Sequence, residues 1–359
     1  MDILKKINTN EDTILYEILQ NKYKFDIYIA SSDTMINLLN TPECYGVKFQ
    51  KKISTSIYKA LSILYKTEDK KISEHLKNSP IDTFYILRGG LNFNLHENIY
   101  RLIEKTPEVS FISSQRISCK DGTFKIDEST YQKWNIQDRS LLCIGDICAT
   151  GTTIVNMITN AIKRYNFESK KPRWLLIITI GTKKMLNELS NYNFDCFEGV
   201  TIIFLEAVFN LFGNTSLSNI NIPYTDFFRK NTIRSIQFEK LSLSNPTCFL
   251  ERCAIYDGGS RSFEPKGYFN NLYTYWEKLF NQSNILNIKE FLSLRSDLLN
   301  YELDYDNWLS NYPYWNKLDD NLFPIYTEGK AQLNELLSKK FGQICEERLT
   351  TLKKIKDKL

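Results

Sequence analysis

Long apolar runs are missing from this chain. No stretch of consecutive apolar residues is long enough to cross a bilayer, and the opening MDILKKINTNEDTIL carries acids where a signal peptide would carry its apolar core. This excludes a membrane as a partner and makes a cytoplasmic location the expectation. Histidine is scarce as well. His75 and His96 are the only two, and the eight cysteines are scattered without a C-x-x-C pair, a ligand supply that argues against a zinc site. With no histidine in a suggestive position, Cys143 and Cys148 read as reduced packing residues rather than nucleophiles. A large excess of one charge is also absent, since a formal net charge of +4 over 359 residues is too small to argue for nucleic acid. Glycine, at 14, is low for the length, whereas Tyr at 21 and Phe at 22 are abundant. Segments outside the main core are therefore expected to be packed and aromatic rather than linkers.

The remaining composition, 42% hydrophobic and 25% charged, is that of an ordinary globular protein. The chain is organised around LLCIGDICATGTTIVNMITNAIKR, residues 141–164. Four apolar residues run into Gly145 and Asp146. A loop of small residues, Ala149-Thr150-Gly151-Thr152-Thr153, then opens a segment with Ile154, Val155, Met157, Ile158, Ala161 and Ile162 at helical spacing. The order is strand, acid, phosphate-sized loop, helix. Small residues let backbone N–H groups close around an anion, and the start of the helix adds unpaired donors and a partial positive charge. The loop has no Lys before its Thr pair and no three-glycine pattern, so it is neither a nucleotide-triphosphate P-loop nor a dinucleotide fingerprint.

On these residues the stretch resembles the phosphoribosyl-pyrophosphate (PRPP) signature of type I phosphoribosyltransferases: an apolar strand, two acids, three variable positions and Thr-Gly-x-Thr. Asp146, Thr150, Gly151 and Thr153 match it, with Thr152 as the variable residue; Gly145 departs from it at the first acid. A second run, Arg88-Gly89-Gly90 after the strand Ile81–Leu87, resembles the family's pyrophosphate loop. The long polar stretch from Ser113 to Arg139 falls where the family has a flexible lid; its Asp121-Gly122 turn indicates a hairpin, and Arg116, Lys120 and Lys125 are the candidate closing cations.

The resemblance, over roughly residues 53–206, implies a fold and a chemistry. The expected fold is an α/β, mostly parallel sheet with helices on both faces, with Trp174–Ile180 and Val200–Leu205 as further apolar strands. Asp146 would hold the ribose hydroxyls, the loop from Ala149 to Thr153 the 5′-phosphate, and Arg88 with Gly89 and Gly90 the leaving pyrophosphate. Mg²⁺ would be held largely by the ligand's own oxygens, with Asp146 as the candidate protein ligand. Hypoxanthine and guanine enzymes of the family usually carry an Asp where this chain has Ala149, so the acceptor stays open. Three functions follow: transfer of phosphoribose between pyrophosphate and a nucleobase-type acceptor, non-catalytic sensing of PRPP or a nucleotide, or cleavage of a nucleotide's glycosidic bond with water as acceptor.

The division expected is an N-terminal extension and candidate hood (1–52), the core (53–213) and a mainly helical, aromatic-rich C-terminal region (214–359). Within the first, Ile14, Leu15, Ile18 and Leu19 predict a helix, Phe25–Ala30 a strand and Asp33–Leu39 a helix. His96 reads as a surface or packing residue on a helix over 92–104. In the last region Thr247–Ile255 reads as a strand or short helix, 257–261 as a turn, and Tyr268–Phe280, Ile288–Leu299 and Gln332–Lys358 as helices. Its many Tyr and Trp residues lie among more acids than bases, which opposes base stacking on nucleic acid and favours a packed cap. This region is also the candidate surface for a homodimer or a protein partner.

Overall fold

A strand that is apolar at every position has no face to offer water, so it must be covered on both sides. The sequence Leu141-Leu142-Cys143-Ile144 obeys this, with all four residues at 0% exposure. The computed structural model describes the whole chain except residues 1–2, 11, 20–21, 69, 114, 119–123, 128–130, 253–257, 317 and 319–320; residues 10, 115–118 and 124–127 are described by their backbone. Its strands are β1 (Ile3–Asn10), β2 (Thr13–Leu19), β3 (Asp26–Ser32), β4 (Ile81–Leu87), β5 (Glu108–Ser113), β6 (Gln115–Ser118), β7 (Phe124–Asp127), β8 (Gln132–Lys133), β9 (Ser140–Cys148), β10 (Pro172–Thr182), β11 (Gly199–Leu211) and β12 (Phe227–Arg234).

The main sheet runs β1-β2-β3-β11-β10-β9-β4-β5-β8, with β12 also on β11. From β3 to β5 every neighbouring pair is parallel; β1, β2, β8 and β12 are antiparallel additions. Leu142, Ile144, Leu175 and Ile177 enter one core, and Leu141, Cys143, Leu176 and Ile178 the other. The first core is closed by the helix Thr152–Phe167, the helix Lys183–Ser190 and the aromatic C-terminal helices. The second is closed by the helices Asp33–Asn40, Gly46–Lys66, Lys71–Asn78 and Leu95–Ile103. The expected architecture, a mostly parallel sheet with helices on both faces, is the one observed.

Three local expectations are corrected. Residues 14–19 form β2, not a helix: Leu15 faces one core while Tyr16 and Ile18 face the other, and burial on both sides erased the alternation that marks a strand. The long C-terminal helix is two, Phe323–Ser338 and Phe341–Lys356, broken where Lys339 and Lys340 take extended backbone. Gly258–Phe263 is a short helix rather than a turn, Asp257 lying outside the described residues. No helix among the described residues is long and apolar enough to cross a membrane.

β11 changes neighbour midway, pairing with β3 through Leu205 and with β12 from Ala207. Glu206 sits at the change, with φ of 69° and no exposure. Its carboxyl accepts from the Ser31 hydroxyl at 2.6 Å and the Ser32 amide at 2.7 Å, and burial pushes its pKa up to about 8.

Candidate functional site

Parallel sheets expose their strand-end carbonyls and loop amides at the carboxyl edge, which is where ligands of such sheets bind. β4 ends in Leu87, a cis peptide to Arg88 and the 3₁₀ turn Gly89–Phe93. β9 ends in Asp146, Ile147 and Cys148, then enters the loop and the helix Thr152–Phe167. The two ends are neighbours. A β-carbon added at Gly89 would stand 3.0 Å from Asp146 Oδ1, so the carboxylate approaches this backbone more closely than a side chain at 89 would comfortably allow.

Gly151 turns the loop into the helix at φ of 86°, a left-handed conformation that a glycine adopts without steric cost. The first helical bond runs from the Val155 amide to the Gly151 carbonyl at 3.0 Å, so the amides ahead of Val155 are the helix's starting donors. The Thr150 and Thr152 hydroxyls lie 3.0 Å apart, and the Thr152 amide reaches Thr150 Oγ1 at 3.5 Å. Ala149 and Thr153 are buried, whereas Thr150 and Thr152 are half-buried.

Two residues that the sequence reading missed hold this geometry. Thr179 Oγ1 on β10 donates to the Asp146 carbonyl at 2.8 Å, and Thr182 Oγ1 donates to the Ala149 carbonyl at 2.5 Å while accepting from the Met185 amide. The only sequence signal was a Thr at the end of an apolar strand.

Gly145 has a structural cause. A β-carbon at this position would lie 2.7 Å from Cβ and 2.8 Å from ring carbons of Phe93, itself fully buried. The place where an acid at position 145 would begin is filled by an aromatic ring. Phe93 gave no warning in the sequence, because its role depends on a strand about fifty residues away.

Arg88 is 58% exposed, and its guanidinium stands 3.6 Å from Glu264, equally exposed. Glu264 arrives from the C-terminal region, held beside the loop by three contacts. Asn92 Nδ2 donates to the Gly258 carbonyl at 2.9 Å, Ser262 Oγ donates to Asn92 Oδ1 at 2.5 Å, and the fully buried Arg261 donates to the carbonyls of Cys44 and Thr41 at 2.7 Å each.

Among the expected lid residues, Arg116 lies on β6 opposite Ile126, and Lys125 on β7 opposite Ile117, so the strands of a hairpin are present. Lys120 and the Asp121-Gly122 turn lie outside the described residues. His96 is exposed and shares a 2.7 Å hydrogen bond with the Tyr85 hydroxyl; burial pushes the Tyr85 pKa up to about 12. Cys143 is sealed in the core, and burial pushes its thiol far above the range of a thiolate nucleophile. Among the described residues no three His, Cys, Asp or Glu side chains converge to hold a metal by themselves.

No family model and no curated protein matches this chain. It is similar to parts of several solved structures. A protein from Aquifex aeolicus is 15% identical with a TM-score of 0.36, over 48% of this chain and 81% of that one. A hypoxanthine phosphoribosyltransferase from Staphylococcus aureus is 17% identical with a TM-score of 0.27, over 43% and 74%. A hypoxanthine-guanine phosphoribosyltransferase from L. donovani is 14% identical with a TM-score of 0.27, over 45% and 82%.

Proposed function

We propose that the carboxyl edge of β4 and β9 binds a phosphoribosyl ligand, PRPP or a nucleotide, and transfers the phosphoribosyl group between pyrophosphate and a nucleobase-type acceptor. The observation that carries this reading is the apposition of Gly89 to the Asp146 carboxylate, one loop away from a helix start ringed by threonines. A ribose between a 5′-phosphate and a 1-pyrophosphate needs such a set: amides and hydroxyls for one end, a cation and amides for the other, and a carboxylate for the hydroxyls between.

Each residue then has a task. Thr150, Thr152, Thr153 and the amides of Gly151 and the helix start anchor the 5′-phosphate, supplying binding energy remote from the reacting carbon. Asp146 holds the ribose hydroxyls and fixes the anomeric carbon. Arg88 and the Gly89-Gly90 backbone stabilise pyrophosphate as it leaves with the bonding electron pair. Arg116, Lys120 and Lys125 close over it and exclude water. Asp146 is the residue that would hold Mg²⁺ brought in on the ligand, and the ion when bound would supply charge neutralisation. Ala149 offers no base, so the acceptor's proton leaves by another route.

A second reading is a sensor that binds the same ligand without turnover. Phe93, standing where the first acid of the signature would begin, favours it. Phosphorus NMR of the protein with PRPP and Mg²⁺, alone and then with free nucleobases, separates the readings. Pyrophosphate released with one base supports transfer and names the acceptor; release without a base indicates a hydrolase; shifts without turnover indicate a sensor. Asp146→Ala is expected to weaken ligand binding at least about tenfold, roughly 1.4 kcal/mol, with an unchanged melting temperature. Identical binding by the variant and the parent would refute the site.

A further inference from the structure

The turn that begins at Gly89 has little of its own to hold it. Gly89 and Gly90 carry no side chain, and the 3₁₀ bonds of the turn are long: the Leu91 amide donates to the Arg88 carbonyl at 3.1 Å and the Asn94 amide to the Leu91 carbonyl at 3.3 Å. The directions of the Gly89 and Gly90 amides therefore depend on how the residues after them are fixed. Phe93 fixes one end by filling the space over Gly145, and Asn98 Nδ2 donates to the Phe93 carbonyl at 3.0 Å.

Asn92 is held in another way. It is fully buried, and an asparagine in a tight turn ordinarily bonds backbone close by in sequence. Here both polar atoms of the side chain leave the turn. Nδ2 donates to the Gly258 carbonyl and Oδ1 accepts from Ser262 Oγ, across 166 and 170 residues. Positions 258 and 262 stand one helical turn apart, so the short helix Gly258–Phe263 meets the asparagine with an acceptor and a donor on one face.

That helix is a fixed support. The buried Arg261 guanidinium donates to the carbonyls of Leu38 at 3.2 Å and of Thr41 and Cys44 at 2.7 Å each, around the end of the helix Asp33–Asn40, where the helix dipole favours a cation. It also lies over the rings of Phe49 and Tyr268, at 4.5 and 5.8 Å. A guanidinium keeps its charge at any ordinary pH, so this anchor is not released by titration. Gly258 in turn faces Ile147, where an added β-carbon would stand 2.4 Å from Cδ1. One short helix thus touches the residue after Asp146 and the residue two places after Gly90.

We propose that Asn92 is a positioning residue: through Gly258 and Ser262 it ties the turn to the Arg261 anchor and so holds the Gly89 and Gly90 amides toward a pyrophosphate group. The inference rests on the phosphoribosyl reading of this edge. Asn92 acts through the turn rather than on the ligand, and the C-terminal region becomes part of what shapes the site.

The test uses Ser262→Ala in the full chain, which removes one hydroxyl and leaves the Asn92 side chain in place. Two probes, each with Mg²⁺, report on separate parts of the edge: inorganic pyrophosphate on the turn, and ribose 5-phosphate on the loop 149–153. Pyrophosphate binding is expected to weaken about tenfold while ribose 5-phosphate binding stays as in the parent. Ser262→Thr, which keeps the hydroxyl, should regain the parent's affinity for pyrophosphate. In the free protein, hydrogen exchange should be faster at the amides of residues 89–93 in Ser262→Ala than in the parent. Equal exchange, or an undiminished affinity for pyrophosphate, would overturn the proposal. So would an equal loss of both probes, which marks general damage rather than a displaced turn. If neither probe binds the parent, the phosphoribosyl reading itself fails. The exchange rates then stand alone: faster exchange supports the hold of Asn92 on the turn, and equal exchange overturns it.

Discussion

The carboxyl edge of the sheet and the C-terminal cap treat charge in opposite ways. At the edge, Arg88 is more than half exposed and, among the described residues, its ion-pair partner is Glu264 at 3.6 Å. In the cap, Arg234 is 2% exposed and gripped on every side. Its Nε donates to Glu239 at 2.7 Å, one NH reaches Asp297 at 3.1 Å and another the Tyr312 hydroxyl at 3.3 Å. Around it the Tyr301 hydroxyl donates to Glu239 at 2.9 Å and the Trp315 indole to the Arg234 carbonyl at 2.9 Å. The difference teaches which charges the fold has spent and which it holds ready. A satisfied buried ion pair specifies packing, whereas an exposed cation at a glycine loop remains available to an anion.

Arg234→Met should break the comparison most severely, because it strands Glu239 and Asp297 as buried carboxylates. A loss of about 3–5 kcal/mol is expected in urea unfolding. A loss below 1 kcal/mol would mean that the cap does not rest on this network.

Glu206 comes next. Its pKa is raised from the ordinary 4.5 to about 8, so the folded chain binds this proton more tightly than the unfolded one. The stability this confers is complete below pH 4.5 and is lost as pH rises toward 8, a change on the order of a few kcal/mol. Glu206→Gln keeps the acceptor for Ser32 and removes the titration, so the parent's stability should fall relative to the variant across that window; parallel pH profiles would contradict the assignment.

Gly145→Ala should cost about 1–3 kcal/mol through overpacking against Phe93. Adding Phe93→Ala should recover part of the loss in a double-mutant cycle, whereas strict additivity would show that the two positions do not meet. The smallest effect belongs to the edge itself. Glu264→Gln frees Arg88 from an exposed pair, a contribution below about 1 kcal/mol, so pyrophosphate should bind up to about fivefold more tightly at low salt and equally at high salt. Calorimetric titration at the two ionic strengths is the measurement.

What could be read before folding follows from the range of each interaction. The parallel strands were legible because complete burial makes a run uniformly apolar, and the phosphate-type loop was legible because all its members lie within five residues. β2 failed as a strand for a related reason, its residues being divided between two cores. β12 was hidden by Arg229, Lys230 and Arg234, which look like surface until Glu239 and Asp297 are seen to cover the last of them. Phe93 against Gly145 and Glu264 against Arg88 were beyond sequence reading, since periodicity carries no information about partners so far apart. The likeness to type I phosphoribosyltransferases depended on motif residues alone, and these said nothing of how the chain outside 53–206 would pack around them.

The contact between Ile147 and Gly258 carries a last consequence, for inheritance. A β-carbon at 258 would collide with the Ile147 side chain, and Ile147 directly follows Asp146. The carbonyl of the same glycine accepts from Asn92 Nδ2 across 166 residues. A lineage that enlarges position 258 must therefore turn the end of the Ile147 side chain aside or shorten it, so a change in the distal third of the gene bears on the residue next to Asp146. The two stretches are expected to vary as a pair, so that substitutions in the cap record the history of the loop.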